Sequence, residues 1–154
     1  MMKIMDFVRE DLIVSDLLGS DKVAVLDELS RHLAARVPGV DSAALLQVLN
    51  ERERLASTAI GEGIAIPHGK FDAIGQLTAC VGRSKNGVEF ESMDGRPTFL
   101  FFVLVAPQNS TGVHLKALAR ISRLFKDPGF RTRLMQAKDA AEMFRVIADE
   151  DAKY

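Results

Sequence analysis

The 154-residue sequence has a single cysteine, no long apolar run and no excess of charge of either sign. Because Cys80 is the sole thiol, the chain can form neither an internal disulfide nor a cysteine-based metal site. Its longest apolar run, residues 99–106, has eight residues, whereas a membrane-spanning helix needs about 18. Charged residues at positions 6 and 9–11 precede any apolar core, so we expect neither a signal peptide nor membrane insertion.

The charges balance almost completely, with 20 Lys and Arg against 21 Asp and Glu and a formal net charge of -1. A nucleic-acid-binding surface usually shows a clear basic excess, so a nucleic-acid partner is not expected. Hydrophobic residues make up 47% and charged residues 27%, which is typical of a globular protein. With this length and no repeat or linker, we expect one cytoplasmic domain spanning residues 1–154.

Caps and apolar spacing predict two helices before the middle of the chain and three after it. Residues 20–22, Ser-Asp-Lys, indicate the start of the first helix, which should end at residues 38–39, Pro-Gly, and Asp41 is suited to cap the second. Asp127 followed by proline, and Asp139 three residues before a glutamate, begin the last two. The third helix is predicted over residues 112–126, with an inward side consisting of Leu115, Leu118, Ser122 and Phe125.

The middle of the chain has the pattern of a sheet. The apolar run 98–105 alternates too little for an exposed sheet face, which is typical of a strand covered on both faces, here by the first and third helices. Asn86-Gly87 predicts a hairpin turn and Asp94-Gly95 a second turn. The fold class is therefore α/β, with a central mixed β-sheet covered on both faces by helices. Strands are expected at residues 58–60, 64–66, 77–83, 88–90 and 98–105.

Common nucleotide and metal motifs are missing. The segment from Gly63 to Lys70 is one residue too long for a phosphate-binding Walker loop, and Phe71 stands where the Mg²⁺-binding Ser or Thr belongs. The three histidines show no paired metal-ligand spacing; they are His32, His68 and His114. The sequence therefore predicts neither a cofactor nor a metal.

His68 is the side chain best suited to chemistry. Pro67 restricts the backbone before it and Gly69 leaves room after it, and a neutral imidazole is a good nucleophile near pH 7. The same pattern also fits a histidine that fills a turn at a strand end. Arg52, in a charged run, equally fits a solvated helix face, and His114, behind a polar loop, fits a partly exposed residue at a helix start.

The intervals between these three residues match one known family. Residues 58–70 read TAIGEGIAIPHGK, Arg52 stands 16 residues before His68, and His114 stands 46 residues after it. These features resemble the fructose/mannitol-type enzyme IIA family of the bacterial phosphotransferase system over nearly the whole chain. In that family the signature histidine receives a phosphoryl group from a phosphohistidine carrier protein. The resemblance implies that His68 is the phosphoryl acceptor and that Arg52 and His114 complete the site.

The resemblance also implies how the site would work. Arg52 offers a planar pair of donors to the phosphoryl oxygens. His114 donates a further hydrogen bond or orients His68, and the helix beginning near Gly112 points its positive end at the same place. The carrier must dock around His68, and Phe71 and Ile74 belong either to an apolar contact surface or to the core.

The signature is most similar to the nitrogen-regulatory branch of the family, and we expect a free-standing domain without an attached IIB or IIC domain. This resemblance implies that the phosphorylation state controls partner proteins, among them potassium-transport and sensor-kinase proteins. Two alternatives stay open. One is the IIA domain of a fructose-type sugar uptake system, and the other is a binding-only module of the same fold. Glu62 stands at a variable position of the signature and is given no role.

Overall fold

The computed structural model describes residues 2–154, which form one six-stranded mixed sheet with helices on both faces. The strands are β1 Val8–Val14, β2 Ala59–Gly61, β3 Ile64–Ala65, β4 His68–Lys70, β5 Thr78–Val88 and β6 Thr98–Ala106. The helices are α1 Lys22–Arg36, α2 Ser42–Leu55, α3 Thr111–Leu124, α4 Pro128–Gln136 and α5 Ala140–Asp151, and a 3-10 helix Ile4–Asp6 precedes β1. The predicted α/β class is confirmed.

Strand β6 is the centre of the sheet. The strand order is β1-β5-β6-β3-β2, and β4 also pairs with β6. Strand β5 runs antiparallel to β6, whereas β3 and β4 run parallel to it, with Ile64 opposite Leu100 and His68 opposite Leu104. His68 therefore lies on a strand that is hydrogen-bonded to the most buried strand of the fold.

Side chains of β6 alternate between two apolar cores, which is why the run 98–105 has so little polarity. Phe101, Val103 and Val105 pack with the leucines of α1 and α2 on one face. Leu100, Phe102 and Leu104 pack with α3, α4 and α5 on the other. The prediction that helices cover both faces of this strand is confirmed. Among residues 2–154, no helix has the length and apolarity that crossing a membrane requires.

Each of the four predicted helix starts has an aspartate cap. The carboxylates of Asp21 and Asp41 accept hydrogen bonds from the N–H groups of Ala24 and Ala44, at 2.8 and 3.0 Å. Asp127 and Asp139 do the same in α4 and α5, each at 2.9 Å. These local bonds satisfy N–H groups that a helix start leaves free, so α1, α2, α4 and α5 begin where the sequence predicts.

The inward face of α3 differs from the prediction. Leu115 is 61% exposed and Leu118 only partly buried, although Phe125 lies in the core as expected. Adjacent helix positions are roughly 100° apart, so placing His114 inward turns Leu115 toward solvent. Apolar spacing alone predicts that the leucines face the core, and it does not reveal this orientation of the helix about its axis. The buried residues of α3 are His114, Ala117, Ile121 and Leu124.

Asn86-Gly87 does not form a hairpin turn. Strand β5 continues to Val88, opposite Thr98, with a register shift between residues 83 and 88. Gly87 has a φ of +83°, and a Cβ there would lie 2.9 Å from the Phe99 ring. The glycine is therefore needed for an irregular stretch inside the strand, and the chain reverses instead near Asp94-Gly95, the second predicted turn.

Strand β1 is an element that the sequence patterns do not reveal. Three charged residues, 9–11, interrupt its apolar pattern and lie exposed. The pairing with β5 shifts register between Val8 and Ile13, so this stretch bends out of regular pairing. Period-two alternation is lost there, and with it the signal of a strand.

Candidate functional site

The fold brings His68 and His114 together. Strand β4 holds His68 beside β6, and the loop of residues 107–110 leads from the end of β6 into α3, which carries His114 in its first turn. The two imidazole rings lie edge to face, with centroids 5.3 Å apart and planes at 88°. His114 is only 7% exposed, so it is an inward component of this cluster, not a residue on a solvated helix start.

The His68 ring is oriented by the backbone of its own strand connection. Its Nδ1 lies 2.8 Å from the carbonyl oxygen of Ile66. Because a carbonyl oxygen only accepts, Nδ1 carries the proton, and in the neutral ring the lone pair is on Nε2. The N–H of Ile66 in turn donates to the carbonyl of Thr58 at 3.0 Å. A fixed backbone thus determines which nitrogen of His68 is nucleophilic.

Both histidines are held in the neutral form. Burial is the main cause that lowers the pKa of His68 below its ordinary 6.5. The hydrogen bond to Ile66 and the negative charge of Glu53 oppose this lowering of the pKa, and the positive charge of Arg52 adds to it. Burial is also the main cause of the lowered pKa of His114, followed by repulsion from the His68 ring in its protonated form and from the charge of Lys70. A neutral imidazole keeps its lone pair available at neutral pH.

Arg52 reaches the site because α2 lies very close to β4. A Cβ at Gly69 would be 2.6 Å from Cγ1 of Val48, so only glycine permits this approach. Arg52 is one turn further along the same side of α2, and its charge acts on the pKa of His68. Its Nη1 donates to the carbonyl of Ala56 at 2.9 Å, which ties the guanidinium to the end of the helix.

Lys70 and Thr111 belong to the same cluster, although neither was singled out from the sequence. The ammonium of Lys70 donates to Oγ1 of Thr111, the first residue of α3, at 2.5 Å. Residues two apart on a strand share a face. The spacing of His68 and Lys70 in the sequence is therefore a signal that both side chains lie on the same face of β4. Ser110, which precedes the helix, makes no side-chain capping hydrogen bond. Its hydroxyl therefore leaves the first-turn N–H groups of α3 free to bind another acceptor.

The cluster has the character of an anion site. The positive charge of Arg52 acts on His68 and that of Lys70 on His114, and α3 begins with its positive end beside His114. Within the part of the chain that the structure describes, no group of three or more His, Cys, Asp or Glu side chains is suited to hold a metal ion. Nε2 of His68 can therefore attack an electrophile whose negative charge is met by side chains and backbone dipoles.

Arg52→Gln is expected to raise the pKa of His68 toward 6.5, because the variant removes a neighbouring positive charge and leaves burial unchanged. The measurement is an NMR titration of the His68 Cε1–H signal. Arg54→Gln, on the exposed side of the same helix, is the control and should leave the titration unchanged. Equal midpoints in wild type and Arg52→Gln would place the guanidinium outside electrostatic reach of His68.

Comparison with known proteins gives a consistent result. Residues 6–150 match the family described as "Phosphoenolpyruvate-dependent sugar phosphotransferase system, EIIA 2". A nitrogen regulatory protein of Bradyrhizobium diazoefficiens is 40% identical over 147 residues, which cover 96% of this chain and 95% of the relative. The fructose-specific EIIABC component of Bacillus subtilis is 34% identical over 97% of this chain but only 24% of its own length.

A solved structure agrees with the sequence relatives. The crystal structure of nitrogen regulatory protein IIA-Ntr from Neisseria meningitidis has a TM-score of 0.87 and 31% identity, covering 94% of this chain and 98% of that one. The family predicted from the signature is therefore confirmed: the chain belongs to the EIIA 2 family of the phosphoenolpyruvate-dependent sugar phosphotransferase system.

Proposed function

We propose that this chain accepts a phosphoryl group from a phosphohistidine carrier protein on Nε2 of His68 and controls partner proteins through its phosphorylation state. The orientation of His68 is the observation that carries the proposal. The proton on Nδ1 is bound to the Ile66 carbonyl at 2.8 Å, which leaves the lone pair on Nε2 in a ring that contacts His114 edge-on. Such a ring is ready to act as a nucleophile without a separate base.

The transfer is a displacement between two imidazoles. The P–N bond of the carrier's phosphohistidine breaks as the bond from phosphorus to Nε2 of His68 forms, and the departing nitrogen regains its lone pair. The His68 proton stays on Nδ1. Because the attacking and leaving groups are nearly equivalent, positioning and charge stabilisation supply most of the catalysis.

A phosphoryl group would also satisfy a buried atom of the site. His114 Nε2 is buried and has no hydrogen-bond partner among the described residues. Buried polar atoms are normally paired because an unpaired one is destabilising. A phosphoryl oxygen on His68 supplies an acceptor for the protonated Nε2 of His114, while Arg52 and Lys70 balance the negative charge.

Exposed apolar residues on the elements that build the site suit a transient carrier contact. Leu115, which the apolar spacing of α3 predicts to face the core, is exposed and so is available for the carrier contact. Phe71 and Ile74, the two residues considered from the sequence, lie in the core instead. Transient complexes of this kind bury at most about 1,200 Å² in total. The exposed apolar residues on α2 and α3 are Leu55, Val113 and Leu115.

Regulation follows from the charge that the reaction adds. A phosphoryl group brings close to two negative charges at neutral pH, placed beside Arg52 and Lys70. A partner that reads this surface therefore meets different electrostatics in the two forms. The 40% identity to a nitrogen regulatory protein over nearly the whole chain supports a regulatory output, with potassium-transport and sensor-kinase proteins as candidate partners.

The direct test is intact-mass measurement after mixing with phosphoenolpyruvate, enzyme I and the carrier, where one phosphate adduct is expected. Absence of the phosphate adduct would instead support the alternative that the chain is a binding-only module of this fold. The fructose-uptake alternative is supported by 34% identity to the Bacillus subtilis fructose component. It predicts onward transfer to a fructose-specific IIB domain, whereas the regulatory proposal predicts partner proteins that bind the phosphorylated and free forms differently in pull-down experiments.

Arg52→Ala and His114→Ala are each expected to slow transfer by about 10²- to 10³-fold without unfolding the protein, because each removes one positioned donor to the phosphoryl group. Single-turnover transfer from phosphorylated carrier measures the effect. Arg54→Ala, an exposed neighbour on α2, should transfer at the wild-type rate. Unchanged rates in both site variants would mean that other residues bind the phosphoryl group.

A further inference from the structure

Glu53 is an unusual carboxylate because it is buried beside the site and yet is not part of the histidine cluster. It occupies the last turn of α2, adjacent to Arg52, and its side chain is only 4% exposed. A buried carboxylate is strongly destabilising unless it is paired and hydrogen-bonded. The hydrogen bonds and ion pair of the Glu53 carboxylate therefore indicate its structural role.

The partners of Glu53 all come from outside its own helix. Oε1 accepts from the backbone N–H of Thr58 at 3.1 Å and lies 3.1 Å from Nζ of Lys22 on α1. Oε2 accepts from the hydroxyl of Thr58. Two hydrogen bonds thus join the end of α2 to the residue that precedes β2.

Thr58 continues this connection to His68. Its carbonyl accepts from the N–H of Ile66 at 3.0 Å, and the carbonyl of Ile66 accepts from Nδ1 of His68 at 2.8 Å. A hydrogen-bonded series therefore runs from the Glu53 carboxylate through Thr58 and Ile66 to the His68 ring. Displacement of Thr58 would shift Ile66, and with it the acceptor that sets the tautomer of His68.

The same carboxylate also holds Arg52. The Glu53–Thr58 bonds close the segment of residues 53–58, which contains Ala56, and the Ala56 carbonyl accepts from Nη1 of Arg52 at 2.9 Å. The Glu53 carboxylate is thereby linked both to His68, the proposed nucleophile, and to Arg52.

We infer that Glu53, acting through Thr58, is a positioning residue that holds the His68 ring and the Arg52 guanidinium in register for phosphoryl transfer. This inference rests on the proposed function. Glu53 itself does not touch the reacting nitrogen; it fixes the two groups that do the chemistry. A misplacement of about 1 Å at a reacting group can slow a reaction by on the order of 10²-fold.

Thr58→Val is the sharpest test, because it removes the hydroxyl that bonds to Glu53 and keeps the side-chain shape and the backbone N–H. We expect the maximal single-turnover transfer rate to fall by about 10- to 100-fold, with the carrier concentration at half-maximal rate unchanged. Thr58→Ser keeps the hydroxyl and should restore most of the rate. Thr78→Val is the matched control, since Thr78 is also buried and its hydroxyl donates only to Gln76.

A second readout examines the ring without any transfer. Ring ¹⁵N shifts of His68 should show the Nδ1–H tautomer in wild type and in Thr78→Val. In Thr58→Val and in Glu53→Met, which has a similar length and no hydrogen-bonding group to pair with Thr58, a measurable fraction of the Nε2–H tautomer should appear. Glu53→Met also decides the question if Thr58→Val fails to fold, because it keeps most of the side-chain volume and removes both hydrogen bonds to Thr58.

The outcomes separate the two ideas. Wild-type transfer and unchanged ring shifts in folded Thr58→Val and Glu53→Met would overturn the positioning role and leave the proposed function standing. A wild-type protein that takes no phosphoryl group would overturn the proposed function. In that case the tautomer comparison still decides whether Glu53 and Thr58 set the state of His68.

Discussion

A His68→Ala protein is expected to take up no phosphoryl group from the phosphorylated carrier, a complete loss relative to wild type. The variant lacks the only imidazole whose Nδ1–H is bound to the Ile66 carbonyl, and His114 is buried behind it. Intact mass and transferred label measure the result. The wild-type label should be acid-labile and alkali-stable, as phosphohistidine is.

The matched control for this prediction is His32→Ala. His32 lies on α1, where its Nε2 donates to the carbonyl of Asp11 at 2.8 Å, and it belongs to no contact of the His68 cluster. This variant should be phosphorylated like wild type. Label retained in folded His68→Ala would place the acceptor on another residue.

Phe101→Ala is expected to reduce the free energy of unfolding by about 3–5 kcal/mol, the usual loss for a buried phenylalanine. Phe101 is fully buried in the middle of β6, opposite Ala65 on β3 and Gly82 on β5. Its ring also packs edge-on against Phe90, with centroids 5.2 Å apart. Removal of the ring leaves a cavity between the sheet and the helices α1 and α2, which the packed leucines cannot fill.

Urea unfolding measures this loss, and the same strand provides the comparison. Phe99→Ala, at a partly exposed position of β6, should be less destabilising, and so should Val103→Ala. Phosphoryl acceptance per folded molecule should change little in Phe101→Ala, because the ring touches neither histidine. Unchanged urea midpoints in both Phe101→Ala and Val103→Ala would contradict the central place of β6.

Local chemistry explains what the sequence predicts well. A capping aspartate bonds to an N–H three or fewer residues away, so Asp21 or Asp139 marks a helix start without knowledge of the rest of the chain. The continuous apolar run 98–105 likewise predicts a strand that is buried on both faces. The signature of residues 58–70 and the intervals of 16 and 46 residues around His68 predict the family because both are properties of the sequence that require no knowledge of the fold.

Long-range contacts explain what the sequence does not show. Arg83, expected only as the end of a strand, is fully buried in β5. Its Nη1 donates to the carbonyls of Leu134 and Ala137, at 2.8 and 2.5 Å, and its Nε donates to Ser15. The carbonyls at the end of α4 carry partial negative charge, which stabilises the guanidinium. Its partners lie about 50 or more residues away in the chain, where no local pattern reveals them.

The sequence by itself determined the α/β class, the starts of four helices, the central strand and the family with its three expected site residues. These features depend on near neighbours in the chain or on a motif and its spacing along the sequence. Only the tertiary structure decided that His114 and not Leu115 turns inward, that Gly87 belongs to an irregular strand, and that Glu53 connects to His68 through Thr58. Each of these depends on which distant backbone lies opposite a side chain, because packing and buried hydrogen bonds outweigh local preference.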